Sequence, residues 1–123
     1  MYIEVRINDA NLRAFIQAFP DQMDDAITAL GFDGQGWLMD KFGSDGSPSP
    51  DGGFPGIDTG TLKNSTSTRP AGQMAVEIFV ATEYALPLEF GTSRMEARPF
   101  MTPLAHMIEA NAESFLLNQL RLY

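Results

Sequence analysis

One histidine, sixteen acidic residues and no cysteine bound what this 123-residue chain can do as a catalyst. Without thiols there is no disulfide, no thiolate metal site, no cysteine nucleophile and no thiol redox couple. His106 sits beside Met107 in a run with helical apolar spacing, where an imidazole serves as a surface or satisfied, partly buried group and anchors no triad. A serine hydrolase would need that histidine beside an activated serine. No Gly-x-Ser-x-Gly elbow occurs, and Ser44, Ser47 and Ser49 fall in a stretch of turn formers. Gly34-Gln35-Gly36 lacks the third glycine of a dinucleotide fingerprint, with Met39 in its place, and follows no strand. Asp45, Asp51 and Asp58 do not keep the alternating spacing of a calcium loop, and Asp24 and Asp25 point to different sides of a helix. The expectation is a non-enzymatic chain with no cofactor and no metal.

Charge excludes a second group of functions. Eight basic residues against sixteen acidic ones leave a net charge of −8, so the domain has no overall electrostatic grip on a phosphate backbone or an anionic bilayer. Neither sequence-specific nucleic-acid binding nor membrane binding is expected. No segment approaches the roughly 18–20 consecutive apolar residues of a membrane span, and Met1-Tyr2-Ile3-Glu4-Val5-Arg6 lacks the layout of a signal peptide. An intracellular protein is the economical expectation. The acids concentrate early: residues 1–55 hold nine acids and three bases.

The length suits one domain with a single core, and 44% hydrophobic against 20% charged residues is ordinary globular usage. Ile3, Val5 and Ile7 alternate with Glu4, Arg6 and Asn8, which predicts a strand over 2–7. Asp9 is placed to cap a short helix carrying Leu12, Phe15, Ile16 and Phe19 before Pro20. Met23, Ala26, Ile27 and Leu30 predict a second helix extending to about residue 42, with a weak point at 31–36 where three glycines fall. Residues 43–57 are turn formers with little to bury, which predicts a long mobile loop. Leu62–Ser67 and the stronger run Ala75–Ala81 predict an antiparallel hairpin connected near 68–73. Tyr84–Met95 shows no sustained period and predicts an irregular crossing segment. Thr102 and Pro103 are placed to open a terminal helix with Leu104, Met107, Ile108, Phe115, Leu116 and Leu120 on one stripe. The order predicts an α+β fold, a small antiparallel sheet packed against N-terminal helices and a C-terminal helix.

The segment 84–101 carries two arginines and several large apolar groups without regular self-pairing. On one reading Tyr84, Leu88, Phe90 and Phe100 plug an end of the sheet while Arg94 and Arg98 pair with Glu89 or Glu96. On the other it is a subunit interface, because aromatics, Met and Arg are enriched there. The two are compatible.

Three motifs in this half occur in a distinctive order: Asp58-Thr59-Gly60-Thr61-Leu62-Lys63-Asn64-Ser65, then Tyr84-Ala85 with Glu89-Phe90-Gly91-Thr92, then Arg98-Pro99-Phe100-Met101 before Pro103-Leu104. Over residues 58–104 the chain resembles the tailed-bacteriophage neck family of minor tail components and tail-completion, or head–tail joining, proteins. It departs from that pattern at Leu104, where the family prefers alanine. The resemblance implies a structural virion protein of a phage or prophage, made in the host cytoplasm and placed at the head–tail junction. It implies a ring of copies of itself, sixfold when assembled, contacting adjacent neck and tail proteins. Glu89, Arg94 and Arg98 are then the expected polar interface contacts and Phe90 and Phe100 the apolar anchors. Gly60 and Gly91 are expected to supply freedom at tight turns that Asp58 and Thr59 bond through their side chains. A tail-terminator or head-closure role is the neighbouring alternative. A small-molecule- or glycan-binding module lined by Trp37 and Tyr84 is the alternative of another class.

Overall fold

The computed structural model describes residues 1–6, 13–47, 49–56 and 58–120, and of residues 14 and 15 the backbone only. It is an α+β structure in two layers. Strands β1 (Tyr2–Arg6), β2 (Thr66–Pro70) and β3 (Ala75–Val80) form an antiparallel sheet in the order β1-β3-β2. Helices α1 (Arg13–Ala18), α2 (Pro20–Lys41), α3 (Thr59–Asn64), α4 (Ala85–Phe90) and α5 (Met101–Leu120) complete the chain, with α2 and α5 packed on each other and against the sheet. Among the described residues no helix is long and apolar enough to cross a membrane.

The central strand explains this arrangement. Val76, Ile78 and Val80 are fully buried on one face of β3, and Ile3 and Val5 of β1 lie opposite Ile78 and Val76 on that same face. The alternation of apolar and polar residues sends Glu77 and Phe79 to the other face. There Arg69 of β2 binds Glu77 at 2.6 Å and lies over the Phe79 ring at 4.6 Å. The core between the layers is built from Met23, Ile27, Leu30 and Leu38 of α2, from Leu104, Ile108 and Leu116 of α5, and from Leu62 and Phe100.

The glycines of α2 are a packing device, not the weak point expected at 31–36. The helix runs unbroken over Pro20–Lys41, and Gly31 and Gly34 are buried against the sheet. A Cβ at Gly31 would lie 2.5 Å from a Val76 methyl, and one at Gly34 would lie 2.9 Å from Ile78 and 3.2 Å from Ile108. The helix backbone approaches β3 this closely only because those positions carry no side chain, so the propensity lost at each glycine is recovered as contact. Gly36 faces away and meets nothing within 4 Å.

Three further expectations change. The hairpin begins later, because Thr59–Asn64 coils into α3 and the strand starts at Thr66, leaving a connection over 71–74. Met74 there has φ 57°, an uncommon conformation for a residue with a side chain, and its N–H donates to Asp24 of α2 at 2.9 Å. The stretch expected to be irregular contains α4. Pro87 is tolerated because it stands in the first turn, where an N–H has no helical partner. The stretch 43–57, expected to be a long mobile loop with little to bury, buries Ser49, Pro55 and Gly56 among its described residues, and the Gly43 N–H donates to the Pro55 carbonyl at 2.8 Å, closing the neck of the loop. Ile7 and the capping position Asp9 lie outside the described residues.

Two glycine substitutions in one helix separate packing from propensity. Gly31→Ala should lose up to about 2 kcal/mol, an overpacking cost of about 1–3 kcal/mol set against a propensity gain of about 1. Gly36→Ala should gain up to about 1 kcal/mol. Urea unfolding of both variants checks the opposite signs.

Candidate functional site

The second and third motifs meet at the turn between α4 and α5, while the first forms α3. Tyr84 opens α4, its N–H donating to the Thr82 hydroxyl at 3.3 Å. The helix ends when Gly91 takes φ 77°, its N–H returning to the Pro87 carbonyl at 2.8 Å. A Cβ there would meet the Ala97 nitrogen at 2.9 Å and the Met95 carbonyl oxygen at 3.0 Å, so this turn requires glycine on both conformational and steric grounds. Thr92 and Met95 form an isolated bridge, and the Arg98 N–H then donates to the Leu88 carbonyl at 2.7 Å, folding the segment back onto α4.

That return delivers the N-terminus of α5 to Glu89. Glu89 is 4% exposed. Its Oε2 accepts the N–H groups of Phe100 (2.7 Å) and Met101 (2.9 Å), and its Oε1 accepts the N–H (2.9 Å) and hydroxyl (2.7 Å) of Thr102. A helix leaves its first four N–H groups without internal partners. Here three go to one carboxylate, the fourth position is Pro103, which has no N–H, and the first internal bond runs from the Leu104 N–H to the Phe100 carbonyl at 3.1 Å. A negative charge at the positive end of a 20-residue helix, with four donors, is a compensated way to bury a carboxylate. Thr102 was expected to be the cap itself; instead its hydroxyl donates to the cap.

The expected interface residues therefore divide. Glu89 is a buried intramolecular cap with no surface to offer a partner, and Phe100 is fully buried in the core with its ring 5.5 Å from that of Phe42. Arg98 turns inward to the loop. Its Nε donates to the Ser49 hydroxyl at 3.1 Å and its Nη2 to the Ser49 carbonyl at 3.1 Å, while Asp51 stands 3.6 Å away and the Gly52 N–H donates to the Ala97 carbonyl at 3.0 Å. Arg94 is exposed and forms no ion pair among the described residues. Phe90 is 71% exposed and shares the outer face of α4 with Leu86, one turn earlier and 56% exposed. Of the five, Arg94 and Phe90 present themselves to solvent.

The turn residues divide too. Gly91 is held to glycine by the φ and the close contacts given above. Asp58 stands in the left-handed region at φ 52° without a side-chain capping bond, and its carbonyl accepts the Leu62 N–H at 3.0 Å. Gly60 lies inside α3 with open space around it, so neither a turn nor a close approach requires glycine there. Thr59 is half-buried as the first residue of α3, one methyl facing Gly43, and no hydrogen bond of its hydroxyl stands among those of the described residues.

Trp37 and Tyr84, expected to line a pocket on the binding-module reading, are engaged in packing. Trp37 meets Phe54 edge-on at 5.8 Å with the Lys41 ammonium 5.4 Å from its ring, and Tyr84 packs on the core with its hydroxyl buried and unpaired among the described residues. No group of three or more His, Asp or Glu side chains among the described residues is arranged to hold a metal ion. Sequence reasoning missed Asp24, whose carboxylate fixes the β2–β3 connection, and no local signal marks it, since the two residues are 50 positions apart. Comparisons with protein-family models, curated proteins and solved structures find no match to the chain.

Two substitutions test the turn. Glu89→Ala strands three N–H groups, two of them buried, and should cost about 2–4 kcal/mol in denaturant unfolding, with Glu89→Gln falling between it and wild type. Arg98→Glu should leave the circular dichroism spectrum unchanged while amides and peptide bonds of residues 43–56 become faster to exchange and easier to cleave, read by hydrogen exchange and limited proteolysis.

Proposed function

We propose that the protein is a structural component of a tailed-phage or prophage virion, a tail-completion or head–tail joining protein that acts as a ring of identical copies and carries no catalytic role. The observation that carries this reading is the division of labour inside the Glu89-Phe90-Gly91-Thr92 motif. Glu89 points inward and ties α4 to α5, whereas Phe90 points outward beside Leu86. One motif both rigidifies the segment and displays an apolar pair to solvent, as a part shaped for assembly requires: a displayed side chain contributes to binding in proportion to how little freedom it must lose. Exposed apolar pairs flanked by a charge mark interaction surfaces more often than isolated apolar residues do.

The net charge of −8 fits the same role. A collar through which DNA passes works best when it does not hold phosphate, and acidic subunits repel it.

Deletion of the gene from the phage or prophage that encodes it should leave filled heads and complete tails unattached in electron micrographs. Complementation should restore joined particles, with the protein detected in them by mass spectrometry. Normal plaque formation by the deletion phage overturns the proposal.

A further inference from the structure

Met1 and Val80 exchange both of their backbone bonds, the Met1 amino group donating to the Val80 carbonyl at 3.3 Å and the Val80 N–H to the Met1 carbonyl at 2.9 Å. In an antiparallel pair such doubly bonded positions alternate with unbonded ones, so Ile3 and Val5 bond β3 opposite Ile78 and Val76. Tyr2, Glu4 and Arg6 therefore direct their N–H and C=O groups away from β3. β1 is an edge strand and all three residues are exposed. None of those outward groups has a hydrogen-bond partner among the described residues. The opposite edge is blunted. The Ala81 N–H donates to Ser65 and the Ala71 N–H to Ala75, both at 3.0 Å, which places Thr66, Thr68 and Pro70 on the outer side of β2. Pro70 has no N–H to offer, and the Thr68 hydroxyl is turned to the Gly31 carbonyl of α2 at 3.4 Å. A row of unpaired donors and acceptors is a template for another strand, and of the two edges β1 presents the uninterrupted one.

The side chains of that edge carry a definite order of charge. Glu4 and Arg6 lie two positions apart on the face of the sheet away from the helices, with Arg6 Nη2 2.6 Å from Glu4 Oε1. Glu77, opposite Glu4 on β3, is bound by Arg69. The edge thus offers one acid and one base. We infer that β1 of one copy pairs antiparallel with β1 of a second copy, about a twofold axis through Val5. Glu4 then stands opposite Arg6 of the second copy, and Arg6 opposite its Glu4. These are the residues whose backbone groups face outward, so each such pair exchanges both backbone bonds. Side chains directly opposed across a strand pair have Cβ atoms about 4.5–5.5 Å apart, within reach of an ion pair. A twofold axis through Glu4 would set two carboxylates against each other, and a slip of one residue would oppose outward groups to ones already used by β3.

The order of charge selects the occupant. A strand lying antiparallel on this edge must read acid, any residue, base in its own direction, because its acid has to meet Arg6 and its base Glu4. Glu4-Val5-Arg6 is that sequence, and neither β2 nor β3 contains it. Strands with other charge orders meet like charge or none. Both halves of the contact are the same surface, so it closes as a pair of copies. It goes beyond the ring proposed above and does not depend on the virion role.

The test uses the full chain. Wild type should pass from monomer to dimer with concentration in sedimentation, and the amides of Glu4 and Arg6 should become slow to exchange in the dimer while those of Ile3 and Val5 are slow throughout. Glu4→Pro removes an outward N–H that β3 does not use, so it should keep the wild-type circular dichroism spectrum and stay monomeric. Glu4→Arg and Arg6→Glu should each weaken self-association about tenfold or more. Mixed in equal amounts, those two variants should form a 1:1 heterodimer, and the chain carrying both substitutions should dimerise like wild type. A wild type still monomeric at about 1 mM overturns the contact. So does an assembly of any size that these substitutions leave unchanged, a mixture that fails to pair, or a dimer in which the Glu4 and Arg6 amides exchange as fast as in the monomer.

Discussion

The structure turns on one carboxylate. Glu89 comes from the last turn of a six-residue helix that could not persist alone, and it holds the first turn of the longest apolar element in the second half of the chain. Two of the N–H groups it accepts, those of Phe100 and Met101, would otherwise face the apolar interior, where each unpartnered donor costs about 1–3 kcal/mol. Because Phe100 supplies one of those N–H groups and its ring enters the core, the cap also fixes where α5 meets α2. The turn containing Gly91 is the geometric condition for this, since it returns the chain to Leu88 and so to the neighbouring Glu89.

The second constraint is the close approach of α2 to β3 through Gly31 and Gly34. The two constraints meet near Gly34, where Ile78 of the sheet and Leu104 and Ile108 of α5 all come within van der Waals reach of one glycine. A shift of α5 released from its cap would therefore be felt at the helix–sheet contact. The loop over 43–56 is held differently, by the Arg98 guanidinium, a closing backbone bond and one aromatic pair. Such polar, partly exposed attachments open at lower free energy than a packed core does.

How much of this could be read in advance follows from the range of each interaction. The alternation in β1 and β3 and the apolar stripe of α5 are local patterns set by burial, and they gave the α+β architecture. The motif segment was legible as special but not in its roles. Glu89 and Arg98 look like surface charges in any window of the sequence, because the groups that satisfy them are 11 to 49 positions away. Phe90 and Phe100 are alike in type and opposite in burial, a difference decided by which way the turn at Gly91 sends the chain. The glycines of α2 were misread for the same reason: propensity counts their cost, whereas the strand that rewards them is more than forty residues downstream. Helix α4 was hidden by Pro87, a breaker in the middle of a helix and harmless in its first turn.

The central strand has a consequence for how the molecule is made. β3 must be flanked on one side by a strand five residues upstream and on the other by the first residues of the chain, so that the Met1 amino group and the Val80 carbonyl, 79 positions apart, end up hydrogen-bonded. Closing so long a loop contributes little until its far end exists. During synthesis β1 waits unpaired while α1, α2 and α3 leave the ribosome, and the negative charge gathered over residues 1–55 keeps such waiting chains apart.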